Sequence, residues 1–386
     1  MYPHHQVVSP RRMLNYFFYR KMKTVKYLIV IFWIIFFVVI AFLGWHAKRV
    51  STILSIHQVK EYDDGFGIYE MNVGYDYNLD NILAGDIRND ADFIHAVIKE
   101  VLPGVPIKYE SPQFGCSAFS TKLKGGSYRM GRNYDFRNNT SAMIIHNSPK
   151  DGYRSVSIAD LNLINAIDAS NSLLARIKCL AAPFAVLDGI NEKGVSIAVL
   201  MTDSPSTHQD SGKPDLPTPL AIRLVLDRAA TTKEAVELLS QYDMYAVSGC
   251  DYHFYVSDAS GNGCVVDYDP CSAKREMMVT PIAAVTNFYT NYTDSVLPNR
   301  HNGIYGHGKE RYERIMTILN RHKGRMTDEL AWQALHEASQ TPKPGEATSN
   351  TQWSALYNNT DGSLEFVLRR HWADVYHFSA HNDNIK

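Results

Sequence analysis

The chain lacks the residues that several common functions require. It has 5 cysteines in 386 residues. No Cys-x-x-Cys pair and no histidine cluster shows metal-ligand spacing, so neither a metal nor a cofactor is expected. Lys and Arg number 39 against 40 Asp and Glu, and no basic stripe or long run of one charge occurs. That excludes the electrostatic footprint of a nucleic-acid partner. No internal repeat and no low-complexity tract is present, which removes solenoids and arrays. With 45% apolar and 20% charged residues, the composition is globular, and the length suits one large domain or two ordinary ones.

A more local absence is that of charge. Tyr27 to Trp45 reads YLIVIFWIIFFVVIAFLGW, without a single charged residue. At about 1.5 Å per helical residue this stretch spans roughly the hydrocarbon core of a bilayer. Arg11, Arg12, Arg20, Lys21, Lys23 and Lys26 precede it and no acid does. By the positive-inside rule the N-terminus stays in the cytoplasm and Lys48 onward lies outside. A cleaved signal peptide, with Met22 as an alternative start, is the competing reading. Its apolar run is long for an h-region, and Gly44-Trp45-His46-Ala47 is a poor cleavage site. Both readings put the body of the protein outside the cytoplasm. There, an odd number of cysteines leaves at least one thiol free. Cys264 and Cys271 are close enough in sequence for a small disulfide loop, with five reduced thiols as the alternative.

The remaining chain alternates between strand and helix signals. Residues 1–26 read as a disordered basic tail and 46–60 as a membrane-proximal stalk. Gly65–Tyr75 holds a strand or two. Phe93, Ile94, Val97, Ile98, Val101 and Leu102 recur at helical spacing, with Pro103, Gly104 and Pro106 as the stop. Short strands follow from Cys116, the first two flanking a Gly125-Gly126 turn. Helices are expected at Pro219–Ala229, Thr232–Leu239, Lys309–Asn320 and Asp328–Ala338, the second capped by Thr231 or Thr232 with Glu234 in its first turn. Three strands close the chain near Gln352–Tyr357, Leu364–Leu368 and Val375–Phe378. Antiparallel strands interrupted by helix pairs imply layered sheets covered by helices. Asn-x-Ser/Thr sequons stand at Asn138, Asn139, Asn291 and Asn358.

The segment GCSAFSTKLKGGSYRMGRNYDF carries the chemistry. Cys116 opens a strand, a hairpin turn follows, and the return strand ends in Arg132-Asn133-Tyr134-Asp135. Antiparallel pairing brings that end back beside Cys116. An Arg beside a thiol favours the nucleophilic thiolate, and an Asp there can orient an ammonium or accept a proton. On these residues alone, a buried structural cysteine near a surface Arg–Asp pair remains open.

This stretch resembles the cysteine N-terminal-nucleophile hydrolases: choloylglycine (bile-salt) hydrolase, penicillin V acylase, isopenicillin N acyltransferase, acid ceramidase and N-acylethanolamine amidase. In these, Arg follows the nucleophilic Cys by sixteen residues in an R-N-x-D motif and Asp follows by nineteen. Cys116, Arg132 and Asp135 keep both spacings. Leu187-Asp188-Gly189-Ile190-Asn191-Glu192-Lys193-Gly194-Val195, Val285-Thr286-Asn287-Phe288 and Glu310-Arg311-Tyr312 resemble three further motifs. The resemblance implies an α+β fold, a four-layer αββα sandwich. It also implies a mechanism in which the α-amine of a chain-terminal Cys116 is general base and the thiolate forms a thioester. Arg132 and Asp135 would hold amine and thiol, Asn191 and Asn287 would donate to the oxyanion, and Arg311 would brace the network. Because 115 residues precede Cys116, a free amine requires cutting Gly115–Cys116. The implied division is a tail at 1–26, an anchor at 27–45, a stalk and pro-segment at 46–115 and a catalytic domain at 116–386. The expected partner is a small N-acyl amide. An acyltransferase, or a surface binding protein that has kept the fold without catalysis, is the alternative.

Overall fold

A computed structural model describes residues 10–101, 104–105, 114–289, 291, 308–346 and 348–381. Two compact units emerge, Met1–Val50 and Ser51–Lys386. In the first, helix α1 begins at Pro10 and continues to Ser55. The residues from Pro10 to Lys26, read as disordered tail, are therefore helical. Within α1, Tyr19–Gly44 is 26 residues long, apolar and without burial. By length and composition it can cross a membrane or serve as a signal sequence.

The second unit is a sandwich. Its larger sheet has nine strands. In chain order these are β1 (His57–Glu61), β2 (Gly67–Val73), β5 (Ala142–Asn147), β6 (Ser155–Asp160), β7 (Val186–Asn191), β8 (Ser196–Thr202), β11 (Asp251–Ser257), β12 (Gly263–Tyr268) and β13 (Met277–Pro281). They also stand in that order across the sheet. The smaller sheet has six strands in the order β14 (Ala284–Val285), β3 (Gly115–Lys122), β4 (Tyr128–Asp135), β15 (Thr351–Asn358), β16 (Ser363–Leu368), β17 (Tyr376–Ser379). A short parallel pair joins β9 (Asp215–Pro217) and β10 (Asp243–Tyr245).

Helices cover both outer faces. Helices α2 (Leu79–Leu83), α3 (Asp90–Val101) and α4 (Leu173–Lys178) precede α5 (Thr218–Arg228) and α6 (Thr232–Leu239). Helix α5 packs on β7 and β8, and α6 on β11 and β12. On the other side, α7 (Gly308–Arg321) and α8 (Asp328–Ala338) cover β3, β4 and β15. Phe119, Ile315, Leu335 and Leu356 bury their side chains in that outer core. With β3 also facing β8 and β11 between the sheets, the layers run helix, sheet, sheet, helix. This is the expected αββα sandwich. The caps follow sequence rules: Thr231 accepts from the Glu234 amide at 3.1 Å, while Glu234 accepts from the Ala230 amide at 2.7 Å.

One expectation changes, and one of two open alternatives is selected. The stretch read as stalk and pro-segment joins the compact unit from Ser51 onward, and β1 and β2 are the first two strands of the large sheet. Strand β2 pairs with β5 in parallel from Ile68↔Ala142 to Val73↔Asn147. Cys264 and Cys271 form no disulfide. Cys264 pairs with Pro281 at one end of the β12–β13 hairpin, while Cys271 lies in the turn after the other end. At about 3.3 Å per residue that separation is far beyond disulfide reach. Of the expected stop at the end of α3, Gly104 is described, whereas Pro103 and Pro106, together with Leu102 and residues 1–9, lie outside the described residues.

Candidate active site

Hairpin pairing sets the site. Cys116 stands opposite Tyr134, Ala118 opposite Arg132 and Gly115 opposite Asp135. Alternation along strands then puts Cys116 and Arg132 on one face and Asp135 on the other. The Cys116 side chain is fully buried, with its thiol 3.6 Å from the Val199 carbonyl. Arg132 donates to that same carbonyl at 3.0 Å, and through Nε to Asp188 at 3.0 Å. Asp188 also accepts from the Trp353 indole at 3.2 Å and from the Tyr357 hydroxyl. The ion pair is wholly buried, and these donors satisfy the carboxylate that burial would otherwise penalise.

Arg311, reaching in from α7, ties the two faces together. Its Nη1 donates to the Cys116 carbonyl, and to Asp135 at 3.2 Å. Its Nη2 donates to Asn287 Oδ1 at 2.8 Å. The same Asn287 oxygen accepts from the Cys116 backbone nitrogen at 2.7 Å, while its Nδ2 donates to the Met201 carbonyl at 2.7 Å. Two donors on the oxygen and one acceptor on the nitrogen fix which way this amide points. Asp135 is held by Thr351 at 2.6 Å and Gln340 at 3.2 Å.

Cys116, Arg132, Asp135, Asn287 and Arg311 are thus brought into one buried cluster. Asn191 is not among them. Its Nδ2 donates to the Leu226 and Ala229 carbonyls at 3.0 and 2.8 Å. Its Oδ1 accepts from the Lys193 and Val195 amides at 3.1 and 3.0 Å. It knots the β7–β8 turn to the end of α5, with both amide hydrogens committed, and so cannot donate to an oxyanion. Asn287 is likewise occupied: its oxygen, not its NH2, faces Cys116. Asn191→Ala is accordingly expected to cost about 1–3 kcal/mol of stability, read from the denaturant midpoint, with turnover per folded molecule within about twofold of the parent. A hundredfold drop in turnover at unchanged stability would return Asn191 to the chemistry.

Sequence reasoning missed Asp188, although its motif was in hand, and the Val199 carbonyl, which no side-chain pattern announces. Gly115 has a steric reason: a Cβ there would lie 2.8 Å from the Thr348 Cβ. Among the described residues no group of three or more His, Cys, Asp or Glu could hold a metal. Burial pushes the Cys116 thiol up to about 11; Arg132 opposes that rise and Asp135 adds to it. The Asp188 carboxylate, joined by the Cys116 thiolate once that forms, holds Arg132 in its charged form against the burial that opposes it.

Two facing sheets between helical layers, with a buried cysteine at the start of β3, define an N-terminal-nucleophile hydrolase fold. The chain belongs to the family described as acyl-coenzyme A:6-aminopenicillanic acid acyl-transferase, which matches residues 122–371. That match begins six residues past Cys116. A penicillin V acylase of Pectobacterium atrosepticum is 33% identical over 92 residues, which is 21% of this chain and 24% of that protein. The chain thus aligns with about a quarter of that curated relative. Two variants of the conjugated bile acid hydrolase of Clostridium perfringens have the same fold, with TM-scores of 0.52 at 16% and 15% identity, each match covering 70% of this chain and 94% of the other.

Proposed function

We propose that the protein is an amidohydrolase cleaving a linear C–N amide bond of an N-acyl compound through a thioester on Cys116, after Cys116 has cut its own bond to Gly115. One observation carries this reading. The Cys116 nitrogen, which the cut would turn into an α-amine, is held by Asn287 Oδ1 at 2.7 Å within the buried Arg132–Arg311–Asp135 network. In the cut, the Cys116 thiol first loses its proton to water, the thiolate Sγ attacks the Gly115 carbonyl, the Gly115–Cys116 C–N bond breaks, and the leaving nitrogen takes a proton from water. Water then releases Gly115 as a carboxylate and restores the thiol. With substrate the same steps recur, except that the freed α-amine, of ordinary pKa about 7.7–8.0, takes the thiol proton. Asn287 positions that amine, Arg132 steadies the sulfur, and Arg311 with Asp135 holds the start of β3.

The relatives named as an acylase and a conjugated bile acid hydrolase support transfer of the acyl group to water. The family's description as an acyl-transferase favours a second reading, in which an amine replaces water. Product partition with added amines separates the two. Helix α1 is read as an anchor with its N-terminus in the cytoplasm and the catalytic unit outside, from the basic residues before Tyr27 and the absence of acids there. Protease protection of residues 51–386 in sealed vesicles tests that orientation. The test of the activity itself is intact mass of the purified protein followed by a screen of N-acyl amides; no turnover of any of them by fully cut protein would overturn it.

The rate of the first cut has a defined pH dependence. Only the thiolate attacks, and in the uncut chain the thiol titrates at about 11. Its thiolate fraction therefore climbs about tenfold per pH unit below that value. The 116–386 fragment is expected to form about 100-fold faster at pH 9 than at pH 7, measured by gel densitometry. A rate independent of pH would show that thiol ionisation does not limit the cut.

A further inference from the structure

Phe114, two residues before the nucleophile, is buried like a core residue. Its ring lies 5.5 Å from that of Tyr134, edge-on, and is stacked 5.9 Å from Tyr252. Around it stand Leu163, Val186, Leu187, Val199, Ile222 and Tyr252. The β7–β8 ladder ends at Asp188↔Ala198, although the strands run on to Val186 and Thr202. The ring sits where the two strands part. It leaves about 10 Å³ free in the pocket, at the lower limit for one water, about 10–15 Å³. Val199 is the residue whose carbonyl meets the Cys116 thiol, so this apolar pocket adjoins the reacting sulfur.

We propose that the space filled by the Phe114 ring is the acyl-binding pocket of the mature enzyme, and that the pro-segment is its first occupant. This rests on the reading of Cys116 as a nucleophile that cuts its own chain. In that cut the Gly115 carbonyl becomes the thioester carbonyl, so residues up to Gly115 are the acyl group. The chain beyond the carbonyl carbon is then Gly115 Cα and N, followed by Phe114 C, Cα and Cβ, and then the ring. Five atoms separate carbonyl and ring. A substrate matching this spacing carries a linear acyl chain with its aromatic or apolar end at the sixth atom past the carbonyl carbon. The β3–β4 hairpin and the parting of β7 from β8 fix that distance. The space opens only when Phe114 leaves, so the uncut protein cannot take up such a chain.

The test uses the full chain in lipid nanodiscs, because detergent tails would compete for an apolar pocket. Turnover is measured for amides of one chromogenic amine bearing acetyl, butanoyl, hexanoyl, octanoyl and 6-phenylhexanoyl groups. The 6-phenylhexanoyl group reproduces the carbonyl-to-ring spacing. Its kcat/KM is expected to exceed that of hexanoyl by about 10-fold to 100-fold, as burial of one aromatic ring allows. Equal or better turnover of the hexanoyl amide would overturn the proposal. Binding is measured independently of catalysis. Cys116→Ala, in which Phe114 stays seated, should show no thermal shift with toluene, whereas Cys116→Ala combined with Phe114→Ala, which vacates only the ring space, should show one. A shift in both proteins or in neither would overturn the pocket assignment. A shift confined to the double variant, with no amide turned over by the parent, would keep the pocket and sink the amidohydrolase reading.

Discussion

Cys116→Ala is expected to abolish amide turnover, by at least about 10⁴-fold, and to leave a single chain of 43.7 kDa. The parent should instead yield residues 1–115 and 116–386. The substitution removes one sulfur from a buried position, and Arg132 beside it keeps its bonds to Asp188 and the Asn133 and Val199 carbonyls, so the fold should survive. Two measurements check it: intact mass of both proteins, and N-terminal sequencing of the larger fragment, which should begin at Cys116. Turnover by a parent whose Gly115–Cys116 bond is intact would refute the free-amine mechanism. A Cys116→Ala protein cut as fully as the parent would assign the cut to another protease. Cys116→Ser is expected to keep a small residual rate, since a hydroxyl is the poorer nucleophile in the same place.

Arg132→Lys is expected to lower kcat/KM by about 100-fold or more while keeping the charge. The guanidinium donates in three directions at once, to Asp188 at 3.0 Å, the Asn133 carbonyl at 2.5 Å and the Val199 carbonyl at 3.0 Å. An ammonium is a point donor on a flexible stem and cannot hold that planar fork. Stability should fall as well, because Asp188 would lose its fixed partner in a fully buried setting. The discriminating readout is pH dependence: a Lys variant with full activity and an unchanged profile would reduce Arg132 to a distant electrostatic neighbour. Asp188→Ala should destabilise by about 3–5 kcal/mol, the cost of stranding a buried charge, measured by chemical unfolding.

The β3–β4 hairpin was legible because a Gly125-Gly126 turn sits between two strand-like runs of matched length. The helices from Pro219 onward declared themselves through apolar spacing and caps. Strand β1 did not: HQVKE is polar and half-exposed, as an edge strand can be, and without alternation it reads as linker. Cys116 and Arg132 could be paired from register alone, since residues two apart share a face. Asp135 falls on the opposite face, and only the long reach of Arg311 from a helix nearly two hundred residues away joins it to the cysteine. Asn191 was misplaced for an identifiable reason. Asn before Glu-Lys-Gly suits both a tight turn and a catalytic loop, and its four hydrogen bonds, two within the turn and two to the end of α5, commit its amide to the structure. Asp188, in the same motif, looks like a turn residue beside Gly189 but is a wholly buried strand residue facing Arg132. The sequence holds its identity and not its direction.

The parallel pairing of β2 with β5 lies across the bond proposed for cleavage. Before the cut, finding that partner is a first-order event within one chain, whose loop-closure cost grows only slowly with length. Afterwards the same pairing is second-order. Ile68 and Met71 are wholly buried in the sheet, so the segment leaves only when the sheet opens. Once it has left, it must be recaptured from solution. Mature protein should therefore melt at a temperature that depends on its concentration, and after dilution from denaturant it should recover poorly, whereas the uncut Cys116→Ala chain should recover at any dilution. Such an enzyme can be assembled once from its nascent chain and lost irreversibly thereafter, its lifetime set by the rate of unfolding rather than by an equilibrium.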